Sequence, residues 1–370
     1  MRCSTNSITE LTFFRGRVAL CAILNALDLR RDDSVALQAF TCVAVPEAIL
    51  AAGTRPRFVD VAENSFTMDP LDLERKLEPR TKAIIFQHTF GIPGWIGEVA
   101  EIAKRKGIPL IEDCCHSYLS TANGRDIGSF GTASFYSFEW GKPLVAGMGG
   151  SAVTSDDGLR EKLHRRHDAL QDPPMARRLR IELEYLGYRV MFRPALYWVA
   201  KRLKGALGKL GVVESSYNGH YGEGASSDFQ FRMSPSCRLR LESAVGNIQG
   251  VADNSDWISR QYRDRIRCQY VTHPWIHPGS NVVFGRYPLT SPHKDTIMRL
   301  ASRAMVEVAG WYSSPVHPLI PHQWKSVGYA RGSCPNAERR AAEVLTLPTH
   351  SRVTQRDVDR TVTFFNSLQL

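Results

Sequence analysis

The stretch Lys82–Asp113, KAIIFQHTFGIPGWIGEVAEIAKRKGIPLIED, changes its apolar period twice. "KAIIFQH" is a short run of aliphatic and aromatic residues, as in a buried strand. "GEVAEIAKRKG" sets apolar residues at helical spacing and closes on Gly107, a residue suited to end a helix. "IPLIED" is strand-like again and delivers Asp113 at its carboxyl end. Strand, helix and strand in this order read as one βα unit followed by the next strand.

The same alternation extends from Val18 to about Ser155. "VALCAILNAL" repeats apolar residues at helical spacing, "SVALQAF" is strand-like, and "VPEAILAAG" reads as a helix closed by Gly53. "RPRFVDV" predicts a strand. "DPLDLERKL" predicts a helix with Asp69 as N-cap and Pro70 just inside. Repeated βα units predict an α/β fold: a mostly parallel sheet flanked by helices on both faces, with ligands gathered at the carboxyl ends of its strands.

Near Arg160 the alternation stops. Residues 177 to 211 are helical in composition with a break at Pro194, and they mix Leu, Tyr, Phe and Trp with basic residues. A glycine-rich linker, "YNGHYGEGASSD", comes next, then a pair of long helices, then a small α+β tail from about 282. The tail closes on "TQRDVDRTVTFFNSL", where Thr354 and Asp357 have capping-box spacing. The expected division is a large domain over 1–240, with a basic helical insertion at about 160–225. Linking helices and a small C-terminal domain then occupy 241–370.

The chain has 370 residues, 43% of them hydrophobic, enough for a large buried core. Its eight cysteines show no C-x-x-C pair or metal-ligand spacing, which points to a reducing cytoplasm and to no metal site. The first twenty residues hold no apolar core ending in a cleavage site, so no signal peptide is expected, and no transmembrane helix is expected either. The formal charge is +10, of which Arg160 to Gly211 supplies +8 through thirteen Lys/Arg against five Asp/Glu. Three readings stay open for that segment: a solvated helical face, a peripheral docking surface for an anionic membrane, or nucleic-acid binding. The last has no recognised motif beside it.

Three features carry chemistry. Asp113 ends a predicted strand, where a parallel sheet exposes polar groups to ligand. Lys142 lies twenty-nine residues on, among aromatics and glycines in "SFYSFEWGKPLVAGMGG", with Ser137 five residues before it. A helix opening at "GRVAL" would turn the N–H groups of Gly16, Arg17 and Val18 toward an anion. An amine, a carboxylate and a phosphate cradle are what a pyridoxal 5'-phosphate site requires.

In this arrangement the chain resembles the DegT/DnrJ/EryC1/StrS sugar aminotransferases, fold-type-I pyridoxal-phosphate enzymes. The resemblance rests on "GRVAL", "AFTCVAVPEAILAAGTRPRFVDV", "PRTKAIIFQHTFG", "LIEDCCHS", "GSFGTASFYSFEWGKPLVAGMGGSAVTSD", "FQFRMS" and "GSCPNAERRAAEVLTLP", in that order. It implies Lys142 as Schiff-base lysine and proton shuttle, Asp113 at the pyridinium nitrogen, and His116 near the ring. Ser137 and the backbone of Gly16 and Arg17 would hold the phosphate. Gln230 would reach the phosphate of a neighbouring subunit, implying a homodimer with shared sites. The implied reaction moves an amino group, from L-glutamate, to a nucleotide-linked keto-sugar.

The chain departs from the family in three places. Cys42 stands where an aromatic residue often stacks on the ring, Arg17 replaces a threonine, and about one helix of typical sequence is missing before "FFRGR". His88 and His317 read either as substrate contacts or as structural residues, and Cys114 and Cys115 as buried small side chains. Three other functions stay open: a sugar dehydratase of the same fold, a silent regulatory or scaffold homologue, and an aminotransferase for a membrane-associated ketone. The dehydratase would carry His at the lysine position or an iron–sulfur cysteine set, and neither is present.

Overall fold

A computed structural model describes residues 8–202 and 227–370. Most of the glycine-rich linker, the end of the basic segment from 203 on and the first seven residues lie outside them. Seven strands form the central sheet: β1 (Leu11–Phe13), β2 (Ser34–Gln38), β3 (Arg55–Val59), β4 (Thr81–Gln87), β5 (Leu110–Asp113), β6 (Ala133–Ser137) and β7 (Gly150–Thr154). Their spatial order is β1-β7-β6-β5-β4-β2-β3. From β3 to β6 every pair is parallel, and only β7 runs against its neighbours. This is the mostly parallel α/β sheet expected from the alternation.

Helices α1 (Gly16–Ala26), α2 (Ala44–Ala51), α3 (Pro70–Lys76) and α4 (Ile96–Lys106) connect the strands. The punctuation read from the sequence operates as expected. Asp69 caps α3 by accepting the Leu71 N–H at 2.9 Å. Gly107 ends α4 at φ 64°, a left-handed conformation that glycine adopts without a Cβ penalty. Because side chains alternate along a strand, β4 sends Ile84 and Phe86 to one face and Ala83 and Ile85 to the other. The first pair joins a core layer with Ile96, Val99 and Ile102 of α4, and the second joins the larger core over the opposite face. Burial on both faces is why these strands are apolar runs and not alternating patterns.

Beyond β7 come α5 (Asp157–Asp168) and α6 (Met175–Met191), and the latter gives way to a 3₁₀ turn at Pro194–Leu196, the break expected at Pro194. Helices α7 (Pro235–Gly246) and α8 (Ile248–Arg265) form the long pair. The C-terminal part sets α9 (Lys294–Arg303), α10 (Pro335–Glu343) and α11 (Gln355–Asn366) beside two antiparallel strands, Tyr287–Thr290 and Val344–Leu347. Thr354 and Asp357 make the expected capping box on α11. Short contacts tie the C-terminal part to the carboxyl edge of the sheet, among them the amides of Asn336 and Ala337, which donate to Asp60 just after β3. Val316–His317 pairs in parallel with Thr41–Cys42, and the Thr41 N–H donates to the Pro315 carbonyl at 3.0 Å.

Candidate active site

Strands β5 and β6 end side by side, Asp113 in register with Phe135. Asp113 and Ser137, each the last residue of its strand, open into one pocket together with Gly16, Arg17, His116 and Lys142. Six of the seven residues singled out from the sequence therefore meet. Gln230 does not line the pocket; it is exposed, and its carbonyl accepts the Gln171 N–H at 2.9 Å.

Lys142 sits on the loop between β6 and β7, which the Phe138 N–H closes onto the Gly149 carbonyl at 2.9 Å. The loop is anchored at two neighbouring residues. Glu139 pairs at 2.9 Å with Arg15, which also holds Asp228 at 2.7 Å, and the Trp140 ring lies 5.0 Å from Tyr188 of α6. Lys142 is half-buried, its Nζ 5.5 Å from the centre of the Trp311 ring. A flexible side chain is thereby carried on a rigid base, as a reacting amine requires.

Helix α1 starts at Gly16 with Arg15 as N-cap, no side-chain cap and no acid in its first turn. The Val18 N–H is spent inside the helix on the Arg15 carbonyl at 3.1 Å, which corrects the expectation that it faces an anion. The opening that remains is at Gly16 and Arg17. Glycine is needed here twice over. A Cβ on Gly150 would fall 2.4 Å from the Gly16 nitrogen, and one on Gly16 would lie 3.0 Å from the Ser137 Cβ. The helix opening thus rests against the end of β6, and Ser137 stands beside it. The Arg17 side chain pairs with Glu47 at 2.5 Å, and burial of Glu47 pushes its carboxyl above the usual range.

Asp113 is buried, and its Oδ1 accepts the Cys115 N–H at 3.0 Å. Among the described residues it has no ion pair. Burial pushes its carboxyl up, against opposing pulls from Cys115, Lys142 and His88. His116 is buried too, and its Nδ1 accepts the Phe90 N–H at 3.2 Å, so a neutral ring carries its proton on Nε2, 3.2 Å from the Tyr312 hydroxyl. Burial, and after it the charge of Lys142, hold the His116 pKa well below the ordinary value. His116 is therefore a neutral donor anchored on both nitrogens, and its backbone partner is an N–H.

The residues suit pyridoxal phosphate on these observations. A fully enclosed carboxylate without a cation faces the pocket, as a partner for a protonated ring nitrogen would. The amine lines the same pocket, and the helix opening lies beside Ser137 in a contact too close for a Cβ at Gly150.

Trp311 and Tyr312 complete the pocket with Glu139 and Trp140. Sequence reasoning passed over the two C-terminal aromatics; the local signal was an aromatic pair between Gly310 and Pro315. Cys42 lines the pocket as well, at the place where the family often has a stacking aromatic. His317 stacks on Tyr312, with ring centres 5.2 Å apart, and burial holds it down to about 3. His88 lies outside the pocket. It is fully buried behind β5, its Nε2 2.9 Å from Glu112. His88, Glu112 and Cys114 approach within 4.8 Å of one another, but both Glu112 oxygens are already taken by the amides of Gly128 and Gly131 and by His88.

Comparison with known proteins agrees with this fold. The model of the DegT/DnrJ/EryC1/StrS aminotransferase family matches residues 10–191 and 238–366. A pleiotropic regulatory protein of Geobacillus stearothermophilus is 29% identical over 340 residues, 90% of this chain and 77% of that protein. The dTDP-3-amino-3,4,6-trideoxy-alpha-D-glucose transaminase of Micromonospora megalomicea subsp. nigra is 27% identical over 353 residues, 94% of this chain and 82% of that protein. The crystal structure of S. venezuelae DesV in complex with a ketimine intermediate superposes with a TM-score of 0.73 at 21% identity, covering 96% of this chain and 83% of that one.

Proposed function

Because the chain belongs to the DegT/DnrJ/EryC1/StrS aminotransferase family, whose enzymes use pyridoxal phosphate, we propose that it passes an amino group from L-glutamate to a keto group of a nucleotide-linked sugar. The observation that carries the reading is the meeting of Lys142, Asp113, Ser137 and the opening of α1 in one pocket. The Micromonospora transaminase, named for a nucleotide-linked amino sugar, supports the acceptor class.

When bound, the cofactor supplies an aldehyde for amine exchange and a ring that accepts electrons. Lys142 Nζ would hold the cofactor covalently and, once freed by substrate, would take up and return the proton that moves in each half-reaction, as general acid and base. Asp113 keeps a proton on the ring nitrogen: its burial makes an unpaired charge costly, and a facing cation relieves that cost. Ser137 Oγ and the α1 opening at Gly16 and Arg17 bind the phosphate. Neutral His116 positions the ring, and Trp311 shields the lysine from water. Gln230, exposed and away from its own pocket, reaches the phosphate site of a second copy in a homodimer.

Lys142→Ala tests the reading. The purified variant is expected to lose the visible cofactor absorbance and all transamination, and an unchanged spectrum overturns it. A spectral change on adding L-glutamate, and none with other amino acids, tests the donor. The name of the Geobacillus relative favours a second reading, regulation without catalysis. A wild-type protein that binds no cofactor would support it.

A further inference from the structure

Helix α6 has two apolar faces. One packs inward: Ile181 is buried, and the rings of Tyr185 and Tyr188 lie 6.1 and 5.0 Å from Trp140, two residues before Lys142. The other comprises Met175, Leu179, Leu183, Leu186 and Val190. At ~100° and 1.5 Å per residue these five fall in one stripe about 80° wide and roughly 22 Å long. Each is 57–74% exposed. A continuous apolar stripe opposite a packed face marks a contact surface, whereas scattered exposed leucines would not.

Its surroundings are basic. From Met175 to Arg202 there are seven Lys/Arg and two Glu; Arg177, Arg178 and Arg180 are paired with Asp228, Asp172 and Glu184, and Glu182 with Arg240, which leaves Arg189, Arg193, Lys201 and Arg202 as the basic surplus. At the carboxyl end of the stripe a cleft is lined by Arg189, Arg193 and Arg352. Arg352 Nη1 donates to the carbonyls of Tyr188, Arg189 and Phe192 at 3.0–3.1 Å and so clamps the helix end. Asp357, on the same cleft, is held by Thr354 at 2.7 Å. Arg189 and Arg193 are exposed and, among the described residues, have no ion pair. The family model matches residues 10–191 and 238–366 and leaves the chain that follows the stripe unmatched.

We propose that α6 docks peripherally on an anionic phospholipid bilayer. The stripe enters the boundary between headgroups and acyl chains, and Arg189 and Arg193 meet lipid phosphates. Charge complementarity selects this occupant. A second copy would set Arg189 and Arg193 against their like, whereas an anionic surface neutralises them. No helix among the described residues is long and apolar enough to cross a membrane. Docking would bring the lysine loop, packed on the inner face of α6, within about 10 Å, one helix diameter, of the headgroups. The inference goes beyond the aminotransferase reading and does not rest on it.

Flotation of the full-length protein with vesicles of equal parts phosphatidylglycerol and phosphatidylcholine tests the proposal. Binding is expected at low salt, with none to phosphatidylcholine alone. Leu183→Glu combined with Leu186→Glu, at exposed positions that leave the core intact, is expected to weaken it about tenfold or more. Arg189→Gln and Arg193→Gln should each weaken it about fivefold. Far-UV circular dichroism and cofactor absorbance should stay unchanged in these variants. Failure to float with the anionic vesicles at low salt overturns the proposal. So does a leucine variant that floats normally but changes oligomeric state in light scattering, since the stripe would then belong to a second copy.

Discussion

Strand β5 ends in two consecutive carboxylates at equal depth, and the regions behind and in front of the strand treat them differently. Behind it, Glu112 is met by the amides of Gly128 and Gly131, each at 2.7 Å, and by His88 at 2.9 Å. In front, Asp113 has, among the described residues, hydrogen-bond donors from Cys115 alone, and it opens into the pocket. Burial by itself therefore says little about an acid's role. The informative quantity is acceptor capacity left unmet, because a buried charge without partners is costly unless a ligand supplies the counter-charge.

Three substitutions can break or sharpen that contrast. The largest effect is expected for Asp113→Asn. Transamination should fall about a thousandfold, since an amide cannot hold the proton on the ring nitrogen. The melting temperature of the cofactor-free protein should be unchanged or higher. The folded-state pKa of Asp113 is raised, so ionisation destabilises the empty fold as pH rises above the unfolded value, and asparagine removes that cost. A fall in stability with activity intact would exchange the roles of the two acids.

Glu112→Gln should do the reverse. One of the two loop amides would face an NH₂ group, and His88 would lose its charged partner. About 3 kcal/mol of stability should be lost in chemical denaturation. Activity per folded molecule should stay within a few-fold of wild type. A large loss of activity in protein shown to be folded would contradict a purely structural Glu112.

The smallest effect concerns the histidines on the pocket side. His116 and His317 both have lowered pKa values, chiefly through burial. The unfolded chain takes up a proton on each below about 6.5 and the fold does not. Their contribution is present above that pH and is lost as pH falls below it, for His317 down to about 3. The loss is at most about 1.4 kcal/mol per pH unit for each. His317→Gln should flatten the acid side of a stability–pH curve measured by urea midpoint, and an unaltered slope would show that this ring is solvated.

Much of the site was readable because its parts lie at the ends of consecutive βα units. The mostly parallel sense of the sheet follows from the alternation, whereas its strand order does not; strand ends at Asp113 and Ser137 converge once the strands are parallel neighbours. Gly16 was readable as the opening of a helix, whereas Lys142 stood out only beside Asp113, Ser137 and the family blocks, because a lysine in a glycine-rich loop is ordinarily a solvated surface residue. Tyr312 was not, because its contact with His116 spans 196 residues and depends on the pairing of Val316–His317 with Thr41–Cys42. The Arg15–Asp228–Arg177 ion-pair chain is of the same kind.

Local pattern was therefore enough for the sheet, the helix caps and the chemistry that one amine and one carboxylate can perform. Periodicity and capping act within a few residues, and those interactions are written in neighbouring letters. Packing assigned the rest. Glu112 and Asp113 are adjacent acids until the two sides of β5 give one its full set of donors and leave the other facing the pocket. The two apolar faces of α6 likewise read as equivalent until the core covers one and leaves Leu179, Leu183 and Leu186 in solvent. Burial is a property of what the rest of the chain brings alongside, and no local spacing encodes it.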